Sequence, residues 1–352
     1  MAKYSITDKI VLTDSGGRTL IAETLEHAGT FTATNTIHSL SPSYFTNYFS
    51  GSFQGSTAGY VAGGSAGNTF YNTIDKYPFA ISSGTATDVG DLTTVGWSAS
   101  GSSSSSHGYV AGANGPPQII QNVIQKFPFS VDDNATDVGD LTQTRSMASG
   151  SHSNTHGYAA GGNNPSFTNI IDKYTFSADG NATDVGDLLT IKGWHGGGNS
   201  SSTHGYSTGN YSATDANVIQ KFPFSVDGNA TDVGDLINYV SRQGGTSSTS
   251  HGYVSGGFAT PPGSVSPGSP TNVIQKFSFA ADENATDVGD LSQTINGGGG
   301  QSSETHGFNS GGFESSTQVA TIDKFPFASD ANASSVGNIT ASRQYASSNN
   351  MV

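Results

Sequence analysis

The 352-residue sequence contains no cysteine, which excludes disulfide staples and thiolate chemistry and leaves the redox compartment undetermined. Charge is scarce: 11% of the residues are charged, against roughly 25% in ordinary globular chains. Within that small set, 13 basic residues face 27 acidic ones, for a formal charge of -14. Such a surface repels a phosphate backbone, so no nucleic-acid partner is expected. No stretch approaches the roughly 18 apolar residues of a membrane span. The opening Met-Ala-Lys-Tyr-Ser-Ile-Thr-Asp-Lys lacks the apolar core of a secretory signal. A soluble protein without membrane insertion, not exported by that route, is the expectation.

The polarity comes from Ser, Thr, Asn and 47 Gly, a composition of turn-rich all-β chains, and regularly spaced aromatic pairs argue against disorder. One phrase recurs six times: His-Gly-Tyr-Val-Ala-Gly, a variable gap, Val-Ile-Gln-Lys-Phe-Pro-Phe, then Asn-Ala-Thr-Asp-Val-Gly-Asp-Leu. The Gly after the repeated His (Ala in the first copy) falls at Gly59, Gly108, Gly157, Gly205, Gly252 and Gly307, with spacings of 49, 49, 48, 47 and 55 residues.

Each unit reads as four short strands. In the second unit, a Gly- and Ser-rich strand precedes His107-Gly108-Tyr109-Val110-Ala111-Gly112, and Gly115-Pro116-Pro117 breaks the chain into a loop. The stretch Val123 to Phe129 alternates with period two, setting Val123, Gln125, Phe127 and Phe129 against Ile124, Lys126 and Pro128. Asp132-Asp133-Asn134 closes a turn, and Ala135 to Leu141 forms the fourth strand. The small residues of the first strand suit the crowded centre of a ring, with the aromatics of the third strand filling the wider space between units.

Period and order resemble the kelch family over about 300 residues. Gly-Gly pairs close the second strand at Gly63-Gly64, Gly161-Gly162, Gly256-Gly257 and Gly311-Gly312, and an Arg lies near the next unit's start at Arg145, Arg242 and Arg343. The fourth strand departs from the family, carrying Val-Gly-Asp-Leu where a Trp is usual. The resemblance implies an all-β, kelch-like β-propeller over residues 45–352. A seventh inner strand, Arg343 to Asn349, lacks partners, and residues 1–44 hold strand-like segments. Seven blades are therefore expected, with N- and C-terminal strands sharing the closing blade; six blades plus an N-terminal anchor is the alternative.

The repeated His107, His156, His204, His251 and His306 invite a metal reading, but equivalent points around a ring cannot converge on one ion with bonds near 2 Å. A His bonded locally at a turn is expected, and no metal site is assigned. The repeated Lys76, Lys126, Lys173, Lys221, Lys276 and Lys324 are expected to pair with the Asp of Val-Gly-Asp-Leu on the adjacent strand: Asp91, Asp140, Asp187, Asp235 and Asp290, with Asn338 in the last copy. The segment Ser130 to Asp137 has the spacing of the Asp box of sialidase propellers, a structural turn; calcium held by Asp132, Asn134, Asp137 and Asp140 is the alternative. Asn134, Asn181, Asn229 and Asn284 begin sequons that matter only in a secretory pathway.

Neither a cofactor nor an enzymatic activity is expected. An oxidase of the galactose-oxidase kind needs a Cys joined to a Tyr, and no Gly-x-Ser-x-Gly elbow or isolated carboxylate pair breaks the pattern. The loops between second and third strands vary most. Phe70, Tyr71, Phe167, Tyr211, Phe258 and Phe313 lie there, and aromatics among Ser, Asn and Gly are candidates for a binding surface. The wording of the unit is similar to repeats in virion structural proteins of marine cyanobacterial phages. That resemblance implies a non-enzymatic tail-fibre, tail-associated or capsid-attached propeller in a virion. Its expected partners are other virion proteins, a host surface glycan and further copies of the chain. A glycan-active enzyme or a bacterial surface adhesin is the alternative.

Overall fold

The repeats build six antiparallel sheets among the described residues, four of them four-stranded, with one extra strand in the third and two in the fifth. The structure is a computed structural model that describes residues 54–192, 197–210, 217–261 and 268–351, with the backbone of four short strands nearer the N-terminus. It divides into two units, Met1–Phe49 and Ser50–Val352. In the first, Tyr4–Ile6 pairs with Leu25–His27 and Ile10–Thr13 with Thr19–Ala22.

In the second blade the strands Ser100–Ser103, His107–Gly115, Ile119–Pro128 and Thr136–Asp140 run in simple order from the inside outward. The inner strands touch in turn around an axis: Ser347–Met351, Ser100–Ser103, Ser149–His152, Asn199–Ser200, Gly244–Ser247, Gly299–Ser302 and back to the first. The fold is a β-propeller of six blades. Crowding at the axis accounts for the small residues: a Cβ on Gly101 would lie 2.2 Å from the Ser348 carbonyl oxygen, and one on Gly150 2.2 Å from that of Gly101.

The expected seventh blade is corrected. Ser347–Met351 is the inner strand of the first blade, pairing with Ala58–Ala62 from Ser347↔Ala62 to Met351↔Ala58. The sheet continues through Thr73–Pro78 and Thr87–Asp91. In the copy that starts at Ala58 the inner place beside Ala58–Ala62 is taken by the C-terminal strand, and the six-blade count holds. The C-terminal strand joins Ala58–Asp91 of the first repeat copy in that sheet, in place of the expected strands from residues 1–44. The four strands before residue 28 pair among themselves, and the rest of residues 1–53 lie outside the described residues.

Both faces of a blade are covered, so Ile124 and Phe127 are equally buried yet serve opposite neighbours. Six hydrophobic clusters result, one at each seam. Burying each aromatic contributes about 1.5–3 kcal/mol. The second-strand Tyr stacks on the last Phe of the next blade's third strand: Tyr60 on Phe129, Tyr109 on Phe176, Tyr158 on Phe224, Tyr206 on Phe279 and Tyr253 on Phe327, with centroids 4.6–5.0 Å apart. Phe308 on Phe79, at 5.1 Å, closes the circle. The Gly before each Tyr makes room for the first aromatic of its own third strand, since a Cβ on Gly108 would lie 2.2 Å from the Phe127 ring.

Candidate functional site

The antiparallel order sends the turns inside each hairpin pair to one end of the propeller. The loops between second and third strands, with the linkers between blades, go to the other. At the first end the repeated polar residues are engaged in structure. Lys126 lies opposite Thr136, while Asp140 lies opposite Val123 beyond a bulge, so the expected pair within one blade does not form. Each Lys instead reaches a turn Asp of the next blade. The pairs are Lys76–Asp132, Lys126–Asp179, Lys173–Asp227, Lys221–Asp282 and Lys276–Asp330, at 2.5–2.9 Å. In the first blade Ser82 takes the Asp place, and Lys324 donates to the Phe79 carbonyl at 3.1 Å. The turn carboxylates are more than half exposed, so each pair contributes at most about 1 kcal/mol.

The turn Asn and Ala grip the preceding blade. The Asp91 N–H donates to Asn134 Oδ1 and the Ala135 N–H to the Asp91 carbonyl, both at 2.8 Å. The Asp137 carboxylate accepts from the Gly139 N–H at 3.2 Å. These contacts give Asn-Ala-Thr-Asp and Val-Gly-Asp their meaning as two halves of a seam. Among the described residues no three His, Asp or Glu side chains gather as a metal-binding group. The repeated His is a local turn residue: His107 Nδ1 lies 2.8 Å from Ser106 Oγ, and its N–H donates to Ser104 Oγ at 3.0 Å. Burial, then the adjacent Lys, pushes His107, His156, His204, His251 and His306 below the usual imidazole range.

The loop end is chemically different. Among the described residues its linkers and loops contain one carboxylate, Glu314, of the 27 acidic residues in the chain. Of the sequence candidates, Phe167 is 37% exposed. Phe70 and Tyr71 are half-buried, with the Arg343 guanidinium 5.4 Å from the Tyr71 ring. Phe313 is half-buried and its backbone exchanges two hydrogen bonds with Asn296, at 2.7 and 3.1 Å. Phe258 lies under Arg242 at 5.6 Å. Tyr211 lies outside the described residues. Apart from the adjacent Phe70 and Tyr71, the described aromatics sit in separate blades, and among them Phe258 is tied to the axial group described next.

That group was not singled out from the sequence. Three residues before the axial position of the inner strand, five linkers place Ser98, Met147, Arg242, Gly297 and Tyr345 in the left-handed backbone region, at φ of 57°, 61°, 59°, 70° and 57°. The corresponding part of the other linker, 193–196, lies outside the described residues. Backbone hydrogen bonds of 2.7–2.8 Å join the five: Met147 N–H to Ser98 O, Ser98 N–H to Tyr345 O, Tyr345 N–H to Gly297 O and Gly297 N–H to Arg242 O. Trp97 packs against Tyr345 at 5.3 Å, and the Arg242 guanidinium lies 5.9 Å from the Tyr345 ring. Burial pushes the Tyr345 hydroxyl up, opposed by Arg242. Below this collar an axial cavity of about 100 Å³ is lined largely by Gly and Ser. The available sequence signal was variation: these linker positions differ in every copy of an otherwise uniform repeat. Arg242 also stands two places beyond Arg145 and Arg343 in its linker, so the three Arg are not equivalent.

No protein-family model matches the chain, and no curated protein matches it.

Proposed function

We propose that this chain is a non-enzymatic binding propeller of kelch type, a structural component of a phage virion in its tail fibre, tail or capsid surface. It presents the loop end to a host-surface glycan or a neighbouring virion protein. One observation carries the binding reading: the repeated residues are consumed in the seams, while variation is concentrated at an end rich in Ser, Asn, Gln, Gly and aromatic rings and poor in carboxylates. Hydroxyl and amide groups beside aromatic faces suit sugar recognition and polar protein interfaces. The virion assignment rests on the similarity of the repeat wording to cyanophage structural proteins, because fold alone does not specify a role.

A glycan array probed with the purified protein, assayed for both retention and turnover, tests the binding class. Retention without turnover is expected, weakened by Phe167→Ser. Turnover would replace this reading with a glycan-active enzyme. Immunogold labelling of particles from the source tests the location, and label confined to a bacterial surface would favour an adhesin.

A further inference from the structure

We propose that two copies of this chain pair through their loop ends, on an apolar patch built from Leu189 and Ile237 and continued by Phe167 and Ile119. The inference rests on the reading of the loop end as a binding surface and names one partner within it, a second copy.

Two blades give up a hydrogen bond that the others keep. At the start of each linker one residue donates its N–H to a buried acceptor on the next blade's third strand. In four linkers that residue is Thr93, Thr142, Ser292 or Thr340, and its hydroxyl donates to the same acceptor at 2.7 Å. The other two hold Leu189 and Ile237, whose N–H groups reach Gln220 and Gln275 at 2.6 and 2.7 Å but which have no hydroxyl to add. Both side chains are exposed instead, at 53% and 40%. Stability favours the hydroxyl, so apolar side chains at these two places answer to something outside the chain.

The exposed apolar side chains are also grouped. Among the described residues the large ones are Ile119, Val131, Phe167, Leu189, Val226 and Ile237, and all but Val131 and Val226 lie at the loop end. Those four follow one another around the ring. Ile119 opens the third strand of the second blade, and Phe167 stands at the start of the same strand in the third. The ladder from Thr168↔Lys192 to Ile170↔Asp187 brings the Leu189 linker alongside Phe167. Leu189 and Ile237 then stand before and after the fourth blade. Single exposed apolar residues are ordinary on a monomer, whereas a grouped set marks an interaction surface. Leu and Ile have no flat ring to stack on a sugar, so the patch fits protein.

Charge selects the partner. Apart from Glu314 and the buried Asp75, Asp172 and Asp323, every carboxylate among the described residues lies in a turn of the opposite end or on a fourth strand. The turn carboxylates paired with Lys are more than half exposed. With a formal charge of -14, two copies repel each other through that end and through the rim, and the loop end is where they meet without opposing carboxylates. A self-complementary patch of this kind closes by a two-fold rotation after two copies.

Sedimentation velocity on the full chain over about 1–100 µM, a range that spans weak and moderate contacts, tests the assignment. A reversible monomer–dimer shift is expected. Added salt should hold or strengthen it, because salt screens the like charges and leaves an apolar contact untouched. Leu189→Thr with Ile237→Thr should leave a monomer throughout, and each single change should raise the dissociation constant at least tenfold. Thr is what the repeat itself uses at Thr93, beside the same kind of Gln acceptor, so the double variant should melt no lower than the parent. That separates lost pairing from lost folding. A double variant that still pairs, or a dimer that salt disperses, would overturn the patch. A monomeric parent that the glycan array retains would overturn it while leaving the binding reading intact, and a monomer that no glycan retains would sink both.

Discussion

Arg145 donates to Asp172 at 2.6 Å with neither side chain exposed to solvent. The same guanidinium donates to the carbonyls of Ala159, Gly161 and Ile170, and Asp172 accepts from the N–H and hydroxyl of Thr142. Arg343 and Asp75 repeat the arrangement at 3.1 Å. Other blades meet the same need without charge: Gln125 accepts from the Thr93 N–H and hydroxyl at 2.6 and 2.7 Å, and Gln275 from the Ile237 N–H at 2.7 Å, with Val240 in the Arg place. Asp172→Gln alone strands a buried cation and should cost about 3–5 kcal/mol. Adding Arg145→Val reproduces the fifth blade and should recover most of that loss. Urea unfolding of both singles and the double measures the coupling, and additive losses would show that the pair is not the reason.

Asp323 has no such cation. It takes the same place, buried, and accepts from the N–H and hydroxyl of Ser292 at 2.8 and 2.7 Å, but Ile295 stands where the other two blades have Arg. Burial raises its carboxyl above the usual value, with the Ser292 hydrogen bonds opposing. A raised folded-state value means that its contribution is fully present below the unfolded carboxyl's range and is lost as pH rises through the folded one. Asp323→Asn keeps an acceptor without the charge, so it should match the parent near pH 3.5 and exceed it in stability at pH 7. Denaturation midpoints at the two pH values decide this. An advantage equal at both would mean that ionisation is not its source.

The repeat, the four strands per unit and the small inner strand were legible in the sequence because each rests on local pattern. The blade count was not, since the first blade joins Ser347–Met351 to Ala58–Ala62 across nearly the whole chain. The partner of Lys126 was hidden for a different reason. Near-identical copies offer an Asp in the same blade and another in the next, and only the register opposite Thr136 separates them. Arg242 was visible only as one of three linker Arg and Tyr345 not at all, because a left-handed linker position leaves no shared residue to recognise, whereas Phe258 and Phe167 were visible as aromatics in variable loops.

Acid should weaken the ring through five equivalent groups. Burial and the neighbouring Lys depress His107, His156, His204, His251 and His306 in the folded state. The unfolded chain then takes up protons first, near pH 6.5. The stability tied to these residues is present above that value and is lost as pH falls through the lower folded values. Ala58 occupies the position in the first copy, so the fold tolerates its absence. Replacing all five His with Ala should flatten the fall in urea midpoint between pH 7.5 and 5.5. An unchanged fall in the variant would place the acid sensitivity elsewhere.

Ring closure makes the two chain ends unequal. Asn349, in the C-terminal inner strand, is buried and its Nδ2 donates to the carbonyls of Ser102 at 2.5 Å and Tyr109 at 2.9 Å. The strand thus holds the second blade as well as Ala58–Ala62 of its own. Removing residues 347–352 would bare the edge of Ala58–Ala62 and open the circle of inner strands, and an unpaired edge of this kind invites association between molecules. The truncated chain should lose its single cooperative transition and elute as aggregates on gel filtration. Removing residues 1–49 takes away no blade strand among the described residues, so the propeller should keep one cooperative transition within about 2 °C of the parent. Cooperative unfolding that survives the C-terminal cut and fails after the N-terminal one would reverse the closure described here.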